Sequence, residues 1–184
     1  MTEPKLPGDD DGFAKALFAA SSAERDIRLW LSEGAEAEDK PVPFVAFVQC
    51  LADPESATGR RIMEMVARRP DVRATLMTLA KRFTLGYFPA VAAASDGALA
   101  VRETEAFRMR LEAAYDADGG AYFIVERLDD GSEMPRLAIG IPEAGEPVMQ
   151  ALPESADGGV QLMLPSDDPF LHLFRDPDSR FLLA

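Results

Sequence analysis

The sequence predicts an α+β protein in which a helical region is followed by an antiparallel sheet. Up to about residue 95, apolar residues recur at spacings of three and four, as they do along one face of a helix. Beyond that point they alternate with polar residues, and Asp–Gly turn signals separate the alternating runs. Because helices and strands are segregated along the chain, the pattern favours an α+β arrangement over repeated βαβ units.

We therefore expect four or five helices in residues 1–95 and an antiparallel β-meander of about six or seven strands in residues 96–184. The apolar face of such a sheet must be covered, and the helices are the simplest cover. One domain with a helical layer on the sheet is the preferred arrangement. A helical subdomain followed by a separate small β domain is the alternative.

Size, charge and composition narrow the class of protein. The chain has 184 residues, 47% of them hydrophobic and 28% charged, which excludes wholesale disorder. Its net charge of −13 opposes binding to nucleic acid and to anionic membranes. A single cysteine excludes an internal disulfide, and neither a signal peptide nor a membrane-spanning run is seen, so we expect a cytoplasmic protein.

The N-terminal half begins with two predicted helices. Residues 13–20 have helical spacing behind an acidic run, which suits the start of a helix. Ser21–Glu24 match a capping box, which predicts that a second helix begins there. The apolar stripe of this second helix would include Ile27, Trp30 and Leu31.

Three more helices are predicted after these two. Residues 41–51 are apolar nearly all round, which favours a buried helix, although Val and Phe also favour a buried strand. Asp53 as N-cap and Pro54 at the first helical position predict the start of the next helix. Arg69–Asp71 separate it from a last helix whose core positions extend to Phe83.

The C-terminal half contains the predicted strands. In Phe107–Tyr115, apolar residues alternate with Arg108, Arg110 and Glu112, so one face is apolar and the other is charged. Asp–Gly turns connect this strand to those after it. The further predicted strands are Ala121–Arg127, Leu137–Ile141, Val148–Leu152, Val160–Leu164, Phe170–Phe174 and Phe181–Leu183.

Motifs for catalysis or cofactor binding are not found in the sequence. There is no phosphate-binding Gly-rich loop, no dinucleotide fingerprint and no nucleophile elbow, so we expect no cofactor. With one cysteine and one histidine, a Cys/His zinc site within the chain is excluded. His172 can serve as a general base or phosphoacceptor, but its apolar neighbours favour a histidine on the outer face of a short strand. Cys50 lies in the most apolar helix and is interpreted as a core residue.

A few acidic residues resemble metal-binding or catalytic groups, but ordinary turns and strand ends account for them as well. The pair Asp116 and Asp118, like the pair Asp176 and Asp178, resembles a fragment of a cation-binding loop, but turns favour the same residue types. The first pair lacks the Gly and Glu that an EF-hand needs at its sixth and twelfth positions. Glu126 is the one carboxylate beside an apolar run, and a strand end explains it equally well.

Charge is distributed unevenly along the chain. Residues 1–54 carry a net charge of −6 and residues 91–184 carry −11, whereas residues 55–90 carry +4. Three interpretations of this basic segment are open: neutralisation of acidic groups within the molecule, docking of an acidic partner or a second copy, and an anion pocket. The candidate interaction residues are Arg60, Arg61, Arg68, Arg69 and Arg73.

The leading hypothesis is a cytoplasmic, non-catalytic binding or regulatory protein that contacts another protein, or a second copy of itself, through the arginine-rich face that Arg60, Arg61 and Arg68 form on one predicted helix. The alternative is a small-molecule-binding domain or an unrecognised enzyme with a pocket between the helices and the sheet. Tyr87 and Phe88, between the two halves, are the candidate pocket residues, and core packing is the competing interpretation. A structural subunit of a larger assembly is a third hypothesis. Neither nucleic acid nor a membrane is an expected partner.

Overall fold

The computed structural model describes residues 22–32, 40–90, 101–114, 120–155 and 157–184. Within these ranges it contains five helices and eight strands, which confirms the α+β class. The helices are α1 (22–32), α2 (Phe44–Ala52), α3 (Ala57–Arg68), α4 (Pro70–Phe83) and α5 (Pro169–Arg175). The strands are β1 (Gly86–Phe88), β2 (Val101–Glu103), β3 (Phe107–Ala113), β4 (Ala121–Arg127), β5 (Leu137–Ile141), β6 (Val148–Ala151), β7 (Gly159–Leu164) and β8 (Arg180–Leu183).

The strands form two four-stranded antiparallel sheets, so the prediction of one meander is wrong. We call β1-β8-β5-β6 the inner sheet and β2-β3-β4-β7 the outer sheet. In the inner sheet the last strand of the chain lies between β1 and β5, pairing Phe88 with Phe181 and Ile141 with Arg180. The Asp–Gly turn signals specify hairpins between neighbouring strands. They did not reveal the pairing of β8 with β1 and β5, because it joins segments far apart in sequence. The sequence interpretation also missed β1 and β2, which have only three residues each.

Two apolar clusters arrange the elements in layers. The first cluster packs α1, α2, α3 and α4 against one face of the inner sheet. That face contributes Ile139, Ile141 and Leu182. The second cluster fills the space between the two sheets and includes Ala138 and Phe181 from the opposite face of the same strands. The inner sheet is therefore covered on both faces, which is why every residue of β5 is buried.

The segment of residues 41–51 forms a helix from Phe44 onward, and the alternative of a buried strand is wrong. Its helix, α2, buries Ala46, Phe47 and Cys50 in the first cluster. It is not apolar core all round, since Phe44 is 63% exposed. The helix is thus amphipathic in its packing although its sequence is almost uniformly apolar.

The start of α3 differs from the prediction by three residues. The side chain of Ser56 accepts a hydrogen bond from the Gly59 amide at 3.0 Å, so Ser56 is the N-cap. Asp53 instead lies at the end of α2, where its own amide donates to the Gln49 carbonyl. The prediction that Asp53 and Pro54 begin the helix is wrong because the chain first makes a turn there, with the Ser56 amide bonded to the Asp53 carbonyl.

Residues 170–174 form part of a helix, and the prediction of a strand there is wrong. Asp168 caps α5 by accepting hydrogen bonds from the amides of Phe170 and Leu171, and Pro169 occupies the first helical position. Phe170 and Phe174 both pack edge-to-face on Phe123 of the outer sheet, with ring centroids 5.1 and 5.4 Å away. The helix is buried on this side because it fills the second cluster.

The predicted helix over residues 13–20 lies outside the described residues. Among the helices of the described ranges, none has the length and apolar character needed to cross a bilayer.

Candidate binding groove

Three of the five candidate arginines bind backbone carbonyls of this same chain. Arg61 donates through Nη1 to the carbonyls of Trp30 and Leu31, both at 2.9 Å, and its guanidinium lies 4.3 Å from the Trp30 ring centroid. It therefore satisfies carbonyls at the end of α1 and stacks on the only tryptophan. Arg69 donates to the Lys40 carbonyl at 2.9 Å and pairs with Asp71.

Arg73 joins α4 to the loop between β5 and β6. Its Nε donates to the Val66 carbonyl at 3.0 Å, and its Nη1 donates to the carbonyls of Pro142, at 2.8 Å, and Glu143. Its Nη2 donates to the Gly145 carbonyl at 2.9 Å. These acceptors carry no formal charge, so the positive charge of Arg73 persists at this end of α4.

The remaining two candidates, Arg60 and Arg68, are exposed on α3. Docking through Arg60, Arg61 and Arg68 stays a prediction. Arg61 contributes less to that face than expected, because its guanidinium is turned toward α1.

A groove lies between α4 and the adjacent end of the inner sheet, and we call it the α4 groove. Its volume is about 590 Å³, and it is open to solvent along one side. From α4 it is lined by Pro70, Arg73, Ala74, Met77, Thr78 and Lys81. From the sheet and its loops it is lined by Tyr87, Pro89, Ala90, Glu143 and Arg180.

The helix periodicity explains which residues of α4 line the groove. The six lining residues follow one another at alternating steps of three and one from Pro70 to Lys81, so they share one face of the helix. Strand β1 returns along this face after the turn at the end of α4, which places Tyr87 near Lys81. The pairing of β8 with β5 places Arg180 at the other end, near Arg73.

The groove is basic on an acidic molecule. Its lining holds three cations, Arg73, Lys81 and Arg180, and one carboxylate, Glu143. Burial lowers the pKa of Arg73 below its ordinary value, Arg180 lowers it further, and Glu143 opposes both effects. Arg73 stays protonated at neutral pH, so two like charges face each other here.

Arg180 is the cation in the groove that lacks a partner. Its side chain is half-buried and makes no hydrogen bond or ion pair with any residue in the described ranges. Lys81 is exposed, and its Nζ lies 5.5 Å from the Tyr87 ring centroid. Arg180 at one end of the groove and Lys81 at the other can therefore each bind an anionic ligand.

The structure separates the two candidate pocket residues. Tyr87 lines the groove, whereas Phe88 is 1% exposed and packs in the second cluster between the sheets. Arg180 and Glu143 were not singled out from the sequence. No local signal marks them, since only the pairing of β8 with β5 brings them to α4.

A second, smaller cavity has no comparable excess of charge. Its volume is about 250 Å³, and its lining consists mainly of apolar residues in and just before α2, completed by Arg69, Asp71, Val72 and Thr75. Because Arg69 and Asp71 form an ion pair, their charges compensate each other.

The charged face of the outer sheet is also internally compensated. Arg110 pairs with Glu112 and with Glu126, and Arg108 pairs with Glu103 and Glu126. These residues alternate with Phe107 and Met109 of the second cluster, so their face points away from the helices. Arg108, Arg110 and Glu112 therefore do not line a pocket between the helices and the inner sheet.

The other chemical candidates lie apart from the groove. Cys50 is fully buried, as predicted, and burial raises the pKa of its thiol to about 12, so it is not nucleophilic at neutral pH. His172 is exposed on α5, a helix rather than the predicted strand. Asp176 accepts a hydrogen bond from Ser179, which fits a turn. Asp116 and Asp118 lie outside the described residues, and the described ranges contain no cluster of three or more potential metal ligands.

A buried cation, Arg102, has a structural role that the sequence did not reveal. It is 3% exposed, and its two Nη atoms donate to the carbonyls of Phe174 (3.3 Å), Asp176 (2.6 Å) and Ser179 (3.0 Å). Its guanidinium also lies 4.7 Å from the Phe181 ring centroid. Burial lowers its pKa to about 10, against the attraction of Asp176. Arg102 thus fastens the segment between α5 and β8 to the outer sheet.

Comparison with known proteins adds no assignment: no protein-family model matches the chain, and neither curated proteins nor solved structures give a significant match.

Proposed function

We propose that this protein is a non-catalytic binding protein that docks an acidic segment of a partner protein in the α4 groove. The observation that carries the proposal is the side chain of Arg180, which lies half-buried beside Arg73 without a partner among the described residues. A ligand carboxylate there would relieve the repulsion between the two guanidiniums and would supply a charge-assisted hydrogen bond.

The surroundings of the other arginines support the choice of this site. Arg61, Arg69 and Arg73 have their hydrogen bonds satisfied within the chain, so they offer few donors to a partner. The charges of Arg108 and Arg110 are matched by nearby carboxylates. In the part of the chain that the structure describes, the α4 groove combines unmatched cations, a concave shape and a mainly apolar floor.

A small anionic molecule is the second candidate ligand. The groove volume of about 590 Å³ lies in the range of small-molecule sites, roughly 300–1,000 Å³. Its openness to solvent favours a segment of a larger partner, because small-molecule sites enclose most of the ligand surface. A thermal shift with citrate or inorganic phosphate, exceeding the shift given by an acidic peptide, would favour the small molecule.

The proposal is tested with a fluorescein-labelled hexaglutamate peptide at about 0.15 M salt, where a Debye length of about 8 Å screens the distant acidic residues. We expect the Lys81→Gln/Arg180→Gln double variant to bind the peptide about tenfold more weakly than the parent, measured by fluorescence anisotropy. The matched control is Arg82→Gln/Arg175→Gln, which removes the same charge from exposed positions outside the groove.

A third variant separates the groove from the arginine-rich face of α3. If Arg60→Gln/Arg68→Gln weakens binding and the groove variant does not, the docking site is the α3 face and the proposal is wrong. Equal affinity of all three variants and the parent would show that the groove does not bind acidic peptides.

A further inference from the structure

The spacing of charges in the α4 groove specifies the kind of segment it takes. We infer that the groove recognises an extended peptide with the pattern acid–x–apolar–x–acid, in which two carboxylates flank an apolar side chain. This inference rests on the proposed function, and it adds a sequence preference that acidity alone does not imply.

The length of the groove sets the distance between the two acids. Arg73 and Lys81 are eight residues apart on α4, which is about 12 Å at a rise of about 1.5 Å per residue. Along an extended peptide, side chains four residues apart are separated by about 13 Å. Two carboxylates at positions i and i+4 therefore reach the two basic ends together.

The two ends bind in different ways. At one end the Nη atoms of Arg73 already donate to the carbonyls of Pro142, Glu143 and Gly145, so Arg73 supplies charge and Arg180 supplies the free donors. Arg180 presents a planar fork that can bind a carboxylate through two hydrogen bonds. At the other end Lys81 is a single mobile ammonium beside Tyr87, which suits a looser contact.

The floor between the ends is mainly apolar. Ala74, Met77 and Thr78 of α4 lie between Arg73 and Lys81 in sequence, and Tyr87 lines the groove from β1. In an extended peptide the side chains of i, i+2 and i+4 point to the same side. A residue at i+2 therefore faces this floor when the acids at i and i+4 face the cations, and an apolar side chain fits best there.

A helical ligand fits the charge spacing less well. Residues four apart on a helix are separated by only about 6 Å, so a helix needs its acids eight positions apart to span the same 12 Å. A helix with side chains is also about 10 Å wide, whereas α4 and β1 lie close enough for Lys81 to approach Tyr87. An extended segment is therefore the occupant that we propose.

The test compares two labelled peptides of equal charge and composition on the full-length chain. The matched peptide contains Glu-Ala-Leu-Ala-Glu, and the shuffled peptide contains Glu-Glu-Ala-Ala-Leu, each flanked by Gly-Ser. We expect the matched peptide to bind about fivefold more tightly by anisotropy, since one carboxylate of the shuffled peptide cannot reach its cation. Lys81→Gln should abolish the preference, and Arg82→Gln should keep it.

The outcomes distinguish the inference from the proposed function. If both peptides bind equally and both are weakened by Lys81→Gln/Arg180→Gln, the groove binds acidic segments without reading their spacing, and the inference is wrong. If neither peptide binds the parent chain although hexaglutamate does, the inference is wrong; if hexaglutamate does not bind either, the proposed function fails. If a peptide with two Glu residues eight positions apart binds more tightly than the matched peptide, the occupant is helical and the extended pattern is wrong.

Discussion

Arg102 is buried and Arg180 is half-buried, but only Arg102 has Nη atoms that donate hydrogen bonds within the described part of the protein. Arg102 donates to backbone carbonyls of Phe174, Asp176 and Ser179, which would otherwise lack these donors at the end of α5. Arg180 has no such acceptors among the described residues. The first residue is therefore expected to matter for stability and the second for binding.

Replacing Arg102 by Met should lower the free energy of unfolding by about 3 kcal/mol. The change leaves carbonyls in a buried segment without donors, and each unsatisfied buried group costs about 1–3 kcal/mol. Urea denaturation followed by circular dichroism measures the effect. The control is Arg108→Met, whose side chain is 40% exposed and should shift the urea midpoint much less. Equal shifts for the two variants would show that Arg102 does not fasten the C-terminal segment.

At the scale of elements, two Asp–Pro pairs have opposite roles. Asp168 and Pro169 start α5, whereas Asp53 and Pro54 lie in a turn before α3, which Ser56 caps. The local sequence signal is the same in both places. The turn that joins α2 to α3 decides the difference, because it places the Ser56 hydroxyl, rather than the Asp53 carboxylate, at the helix start.

These roles predict a pattern of capping energies. Asp168→Ala and Ser56→Ala should each destabilise the protein by about 1 kcal/mol, because each removes an N-cap hydrogen bond. Asp53→Ala should stay within about 0.5 kcal/mol of the parent, because Asp53 is exposed and ends α2 through its backbone amide, which the substitution keeps. Urea midpoints of the three single variants check this order. A larger effect for Asp53→Ala than for Ser56→Ala would contradict the assignment of the cap.

Much of the element pattern was predictable from the sequence. The period-two alternation located β3 and β5, the Asp–Gly turn after β3 located β4, and the helical spacing located α3 and α4. The short strand β1 was not predictable, because three residues carry no periodicity and it forms only by pairing with β8. Residues 170–174 were misread because an apolar run of this length suits a strand as well as a buried helix.

At the scale of the whole molecule, the first cluster joins residues from both halves of the chain. It combines Trp30 of α1 with Ile139 of β5 and Leu182 of β8. The arrangement supports the proposal that the two halves fold as one domain, because helices of the N-terminal half cover one face of the inner sheet.

One domain predicts a single cooperative unfolding transition. The fluorescence of Trp30 reports on the helical layer, and far-ultraviolet circular dichroism reports on helices and strands together. Their urea curves should coincide, with equal midpoints and equal slopes. Separate midpoints would instead favour the alternative of a helical subdomain and an independent β domain.

The α4 groove, like the two sheets, was only partly predictable, because it depends on pairing between segments that are far apart in sequence. Arg73 and Tyr87 were singled out by charge and by their place between the two halves. Arg180 and Glu143 reach the groove only through the antiparallel pairing of β5 with β8, which no short-range pattern records. The sequence also could not show that Arg61 and Arg69 bind carbonyls within the chain.

A double-mutant cycle between Arg180 and one carboxylate of the bound peptide tests whether Arg180 contacts the ligand in the α4 groove. Dissociation constants are measured by anisotropy for the parent and Arg180→Gln, each with the Glu-Ala-Leu-Ala-Glu peptide and with forms in which either Glu is changed to Gln. We predict that one of these changes weakens binding about fivefold in the parent and has no effect in Arg180→Gln. If both changes weaken binding equally in the two proteins, Arg180 does not contact the ligand, and the groove is not the docking site.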